Sequence, residues 1–173
     1  IVLGRLLILK GDLAGAEAAL QEGRRELKEG LAWLLPILLP LGEGELALAQ
    51  RDAPRALAVL DGLLDYLQRT RARPFFADGL HLKSQALLAL GREIEAYEML
   101  QRARAEAEAI GSRRRLWPTL LTLSQMEARR GRLAETEALR ARAREITGYI
   151  ADHCPPEARA AFLNLSAVKS VAS

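Results

Sequence analysis

The sequence predicts an all-α fold built from stacked helix pairs, and three observations carry that prediction. The first is a repeat of 40 residues: Gly11, Arg51, Gly91 and Gly131 each occupy a short turn, with their surroundings in register. The second is a recurring alanine–leucine spacing after three of those turns. Ala16, Ala56 and Ala96 come five positions later, and Leu20, Leu60 and Leu100 four positions after that. The third is composition. Half of the 173 residues are hydrophobic but only 5% are aromatic, and Ala, Leu, Glu and Arg, all strong helix formers, dominate. A fixed period in this range marks a repeat array, in which each unit buries its apolar face against its neighbours.

Each cycle divides into two helices around its turn. First helices are expected at about 1–10, 31–50, 75–90 and 115–130, and second helices at about 13–29, 53–69, 93–110 and 133–151. Gly11-Asp12 and Arg51-Asp52 pair a turn residue with a good N-cap, whereas Gly91-Arg92 and Gly131-Arg132 keep the glycine and lose the aspartate. Ala16, Ala56 and Ala96, with Thr136 as a larger variant, let the paired helix approach closely. The repeats then run over about 1–30, 31–70, 71–110 and 111–153. Residues 154–173 break the period. There Pro155-Pro156 starts a short helix, Glu157 to about Leu163, ahead of a Ser/Ala/Val-rich tail. Ala161, Phe162 and Leu165 are expected to cap the fourth repeat.

On these residues the chain resembles the tetratricopeptide repeat family. Leu3-Gly4-x-x-Leu7 followed by Ala16-x-x-x-Leu20 matches that family's spacing with leucines in place of its aromatics. Gly44 to Ala56 and Ser84 to Ala96 keep the same interval. The fourth cycle departs, with Ser124 for the glycine, Thr136 for the alanine and Arg140 for the large apolar residue. The period of 40 exceeds the family's 34. Because the interval across the turn is unchanged, the extra residues must lengthen the helices at their other ends. A HEAT-type array suits the period but does not predict the glycine–alanine spacing. The resemblance implies a right-handed α-solenoid of antiparallel helix pairs with a short C-terminal capping helix. It covers the chain through Ile150. Ile150-Ala151-Asp152 and Ala158-Arg159-Ala160-Ala161-Phe162-Leu163 also look like the C-terminal end of large bacterial signalling ATPases, LuxR-type regulators or nucleotide cyclases. That likeness implies the sensor or docking part of a longer cytoplasmic protein, and Ile1, lying partway into a helical pattern, fits such a boundary.

The family's first helices line its concave surface. By register, Arg5, Glu45, Gln85 and Gln125 share one position in successive cycles, and His81 and Arg129 lie one turn from that stripe. Six polar side chains along a groove suit an extended peptide, a protein partner or a neighbouring domain of the same protein. Glu45 and Arg129 are expected to give the groove opposite charges at its two ends. A second candidate is an arginine-rich edge, Arg69, Arg71, Arg73, Arg113, Arg114 and Arg115, placed in the connections between repeats and suited to an anionic partner. No aromatics interleave with these arginines, and a net charge of +3 with a pI near 9.3 is only weakly basic, so nucleic acid is the alternative partner, not the leading one.

Nothing in the sequence points to an enzyme, a cofactor or a metal. Gly42-Glu43-Gly44-Glu45 is acidic and would repel a phosphate. His153-Cys154 is an adjacent pair with no third ligand nearby, and Cys154 is the only cysteine. The longest apolar run, Leu31 to Leu41, is too short to span a bilayer and contains Pro36 and Pro40. The missing start of the first helix is expected to uncover a face at Leu3, Leu7 and Leu20, with Trp33, Leu34 and Leu35 close by, and to drive self-association through that truncated N-terminal end.

Overall fold

The structure is a computed structural model describing residues 1–25 and 34–172. Among these residues every regular element is helical and no strand occurs. The helices are α1 (Val2–Leu9), α2 (Leu13–Arg25), α3 (Leu35–Ala49), α4 (Ala53–Thr70), α5 (Phe76–Ala89), α6 (Glu93–Ala109), α7 (Arg113–Arg129), α8 (Leu133–Asp152), α9 (Pro156–Leu163) and α10 (Ser166–Ala172). A 3-10 turn, Arg73–Phe75, precedes α5. The expected helices are therefore present. The ends expected at residues 29 and 31, together with Trp33, lie outside the described residues. No described helix is long and apolar enough to cross a membrane.

The chain forms two compact units, residues 1–99 and 100–173, and their division falls within α6. In the first unit α1 packs on α2, α2 on α3, α3 on α4 and α4 on α5, while α3 also touches α1 and α5. In the second unit α7 packs on α8, and α8 meets α9 and α10.

Tight turns make this sequential packing possible. Gly11, Arg51, Arg71, Gly91, Gly111 and Gly131 all adopt positive φ. After each of them the next N–H reaches back five residues: Asp12 to the Leu7 carbonyl, Asp52 to Ala47, Ala72 to Leu67, Arg92 to Leu87, Ser112 to Ala107 and Arg132 to Glu127. This is the Schellman closure, which satisfies carbonyls that a helix end leaves open. Asp12 and Asp52 then cap the following helices as expected, their Oδ1 atoms accepting from the N–H of Gly15 (2.9 Å) and Arg55 (3.1 Å).

The connections between repeats use the same closure as the turns within them, which corrects the placement of the arginines. Arg69 lies in the last turn of α4, Arg71 is itself the left-handed residue, and Arg73 opens the 3-10 turn. Arg113, Arg114 and Arg115 form the first turn of α7 and not a loop, and Arg115 is buried.

The first unit's core is organised by leucines seated against glycines. A Cβ on Gly4 would lie 2.9 Å from Leu20 Cγ, and one on Gly42 would lie 2.8 Å from Leu20 Cδ2. Leu20 therefore fills a notch between its own partner helix α1 and the next first helix, α3. Leu60 fills the corresponding notch at Gly44, and Leu64 a further one at Gly79. Ala16, Ala56 and Ala96 are fully buried, as expected of close-approach positions. Leu20, expected on an uncovered face, is thus buried, and Leu7 is half-buried against the same cluster. The apolar residues that α1 exposes are Val2, Leu3, Leu6 and Leu9.

The C-terminal cap also differs from expectation. Ala161 and Leu165 are exposed, and only Phe162 turns inward, its ring meeting Trp117 edge-on at 6.3 Å. The tail forms α10, whose Val168 and Val171 are buried. A valine pair three residues apart falls on one helical face.

The glycine notch generates a paired prediction. Gly44→Ala gains helix propensity of roughly 1 kcal/mol but overpacks Leu60, which is fully buried and cannot withdraw, so a net loss of about 1 kcal/mol is expected. Gly62 in α4 has open space around its Cβ position, so Gly62→Ala should stabilise by about 0.5–1 kcal/mol. Urea denaturation of the two variants reads both, and effects of the same sign would show that Leu60 does not fill the notch.

Candidate functional site

The stripe read from the 40-residue register has physical continuity in the first unit. Arg5 on α1 and Glu45 on α3 occupy the same position in successive cycles, and their side chains meet. Arg5 Nε donates to Glu45 Oε2 at 2.7 Å, and Nη2 donates to Oε1 at 2.6 Å. This fork-on-carboxylate geometry is the strongest arrangement the two groups can make. The hydrogen bond to Glu45 holds the Arg5 guanidinium pKa above its ordinary value against the opposing effect of burial, and the charges of Glu45 and Asp78 add to it. Asp78, on α5, is buried and is the acidic group that carries this polar line from α3 towards α5.

The pairing corrects one expectation. Glu45 does not offer an open carboxylate at one end of a charge-polarised groove, because Arg5 neutralises it. The sequence places two residues at one register position but does not reveal that the side chains will choose each other. Opposite charges one repeat apart, on helices in contact, are the signal that could have shown it.

His81 is a second correction. It is buried, not groove-facing, and its Nε2 lies 3.1 Å from the Gln85 amide nitrogen. An amide nitrogen can only donate, so in that orientation the ring Nε2 accepts this bond. Gln85 itself is exposed. Asp78, His81 and Ser84 lie along one side of α5, all buried, but Ser84 Oγ donates to the His81 carbonyl at 2.6 Å. The hydroxyl is thereby directed at backbone and not at the imidazole, so the three do not form a nucleophilic relay. In the second unit Gln125 and Arg129 are exposed on α7, as the register places them.

The arginines of the proposed edge divide between the two units. Arg69, Arg71 and Arg73 are exposed in the first unit, and Arg113 and Arg114 in the second. Arg113 lies with its guanidinium 4.1 Å above the Tyr149 ring. His153 stacks on that ring at 4.0 Å and 19°, and its Nδ1 lies 2.8 Å from the Tyr149 carbonyl. The His153-Cys154 pair is thus a helix end, and no metal-binding cluster exists among the described residues.

A cleft of about 340 Å³ lies beside this stack, lined by Glu108, Gly111, Arg113, Leu116, Arg142, Glu145, Ile146 and Tyr149. Its walls come from the end of α6, the start of α7 and the middle of α8. Sequence reading missed it, because the α8 residues lie far along the chain from the neighbouring α6 and α7 residues and share no register with them. Comparison with family models, with curated proteins and with solved structures gives no match.

The Arg5–Glu45 pair yields a quantitative expectation. Both side chains are about a quarter exposed, at 31% and 20%, so solvent screens the pair only partly. A double-mutant cycle with Arg5→Met and Glu45→Gln should give a coupling of about 1 kcal/mol that shrinks at molar salt. A coupling near zero at low salt would remove the link between successive cycles.

Proposed function

We propose that this chain is a non-catalytic protein-interaction or regulatory sensor module, a right-handed solenoid of antiparallel helix pairs of the tetratricopeptide type. It would serve as the C-terminal part of a larger bacterial signalling or transcription-regulating protein in the cytoplasm. The partner is a protein or peptide, or another domain of the same protein, held along the first-helix stripe. The Arg5–Glu45 contact carries this reading: equivalent side chains of successive cycles lie next to each other, as a continuous recognition surface requires. With those two charges neutralised and His81 withdrawn, the exposed polar group at the register positions of the first unit is Gln85, and those of the second are Gln125 and Arg129. Recognition then rests on amide hydrogen bonds more than on charge polarity.

The nucleic-acid reading loses support from the placement of its own residues. Arg115 is buried, and the remaining arginines divide between the two units. Selection of a peptide ligand from a random library against the whole chain tests the choice. Gln85→Ala and Gln125→Ala should each weaken the selected peptide about 5–10-fold, the loss of one or two hydrogen bonds. Arg69→Glu and Arg114→Glu should leave it unchanged. The reverse pattern, together with salt-sensitive binding of a nonspecific DNA duplex, would favour the arginine edge.

Self-association is expected through α1. Val2 and Leu6 hold the register positions that Gly42 and Leu46 hold in α3, where Leu20 of the preceding pair covers Gly42 and Leu46 joins the buried cluster. On α1 the same face is open, with Leu6 52% and Leu9 78% exposed. A contiguous apolar stripe of this kind recruits a matching surface. Sedimentation over a concentration series should show a dimer that Leu6→Glu with Leu9→Glu abolishes. A dimer that survives both changes uses another face.

A further inference from the structure

We propose that the cleft between α6, α7 and α8 is a binding site for a small organic monoanion, a carboxylate attached to an apolar body. The cleft stands apart from the stripe and shares none of its residues.

Charge in the cleft decides the sign of the ligand. Of the two carboxylates in the wall, Glu108 accepts from Arg104 Nε at 2.9 Å and Glu145 pairs with Arg142. That leaves Arg113. Among the described residues its only partner is the Tyr149 ring face, and it makes neither an ion pair nor a hydrogen bond. A guanidinium centred 4.1 Å over an aromatic ring is attracted to the ring face and still has N–H groups to offer a planar two-oxygen acceptor. The His153 ring on Tyr149 stiffens that platform, so little orientational freedom remains to be lost on binding.

The same inventory argues for a carboxylate over a phosphate. One uncompensated cation matches one negative charge, and Glu108 and Glu145 in the same wall would repel a second. Leu116 and Ile146 line the cleft as well, and water held against them is released by an apolar body. The volume of about 340 Å³ lies near the lower end of small-molecule sites, about 300–1,000 Å³. A ligand of one or two rings fits that space.

Naphthoate is a suitable probe, with naphthylmethylamine as the same body carrying the opposite charge and inorganic phosphate as an anion without the body. Isothermal titration of the full chain should show saturable naphthoate binding and none by the other two. Arg113→Met keeps the stem and removes the charge, and should weaken naphthoate at least about tenfold while helicity and melting are unchanged. Arg113→Lys keeps the charge and loses the fork, and should fall between; it also serves if the methionine variant folds poorly. The proposal is overturned by absence of saturable naphthoate binding, by equal binding of the amine, by equally tight phosphate binding, or by Arg113 variants that bind as the parent does.

Discussion

The close seating of a second-helix leucine against small residues of the first helices is the constraint on which the rest of the first unit depends. Leu20 touches the Cα positions of both Gly4 and Gly42, so one side chain joins the two helices of its own pair and the helix that begins the next. Dispersion falls steeply with a gap of even a fraction of an ångström, so the arrangement needs a residue without a Cβ opposite a residue with a branched end. The helix axes then come close enough for α3 to touch α1 and α5 directly. At that separation Arg5 reaches Glu45. The polar pair and the apolar notch thus bridge the same two helices, α1 and α3.

The turns were partly legible. Gly11, Gly91 and Gly131 announced themselves, because glycine just past a helix is the usual occupant of the left-handed position. Gly111 and Arg71 take the same conformation, so from Arg51 to Gly131 a left-handed residue recurs every 20 residues. The elementary unit of the chain is thus a single helix and its closing turn. Sequence reading found the period of 40 instead, since arginine in the left-handed region is costly by about 1 kcal/mol and is not a turn signal. Arg51 and Arg71 are held there by the Asp52 and Ala72 N–H bonds to the preceding helices, which satisfy carbonyls that would otherwise stay open.

For the candidate site, register gave the neighbours, but partner choice was hidden. A 40-residue spacing puts Arg5 beside Glu45 whatever their rotamers, whereas the ion pair depends on interaxial distance, which no spacing rule encodes. His81 shows the same limit from another direction. One turn from Gln85 it belongs to the stripe by angle, yet the width of the buried face decides whether that angle is inside or outside. The cleft was less legible still, because three helices with no common register build it.

The fourth cycle carries a less apolar face on its second helix than the earlier cycles do. Leu60 and Leu100 are fully buried at the register position where α8 carries Arg140. Its guanidinium lies near Glu137, and its Nε is buried without a hydrogen-bond partner. An arginine stem covers apolar surface while its head seeks water, so this face asks less hydrophobic cover from a neighbour than a leucine would. α10, which packs on α8, contributes two buried valines, and the aromatic edge of α9 meets Trp117 on α7. The change from Leu60 and Leu100 to Arg140, and from Ala56 and Ala96 to Thr136, is therefore a single step to a less apolar face in the fourth cycle.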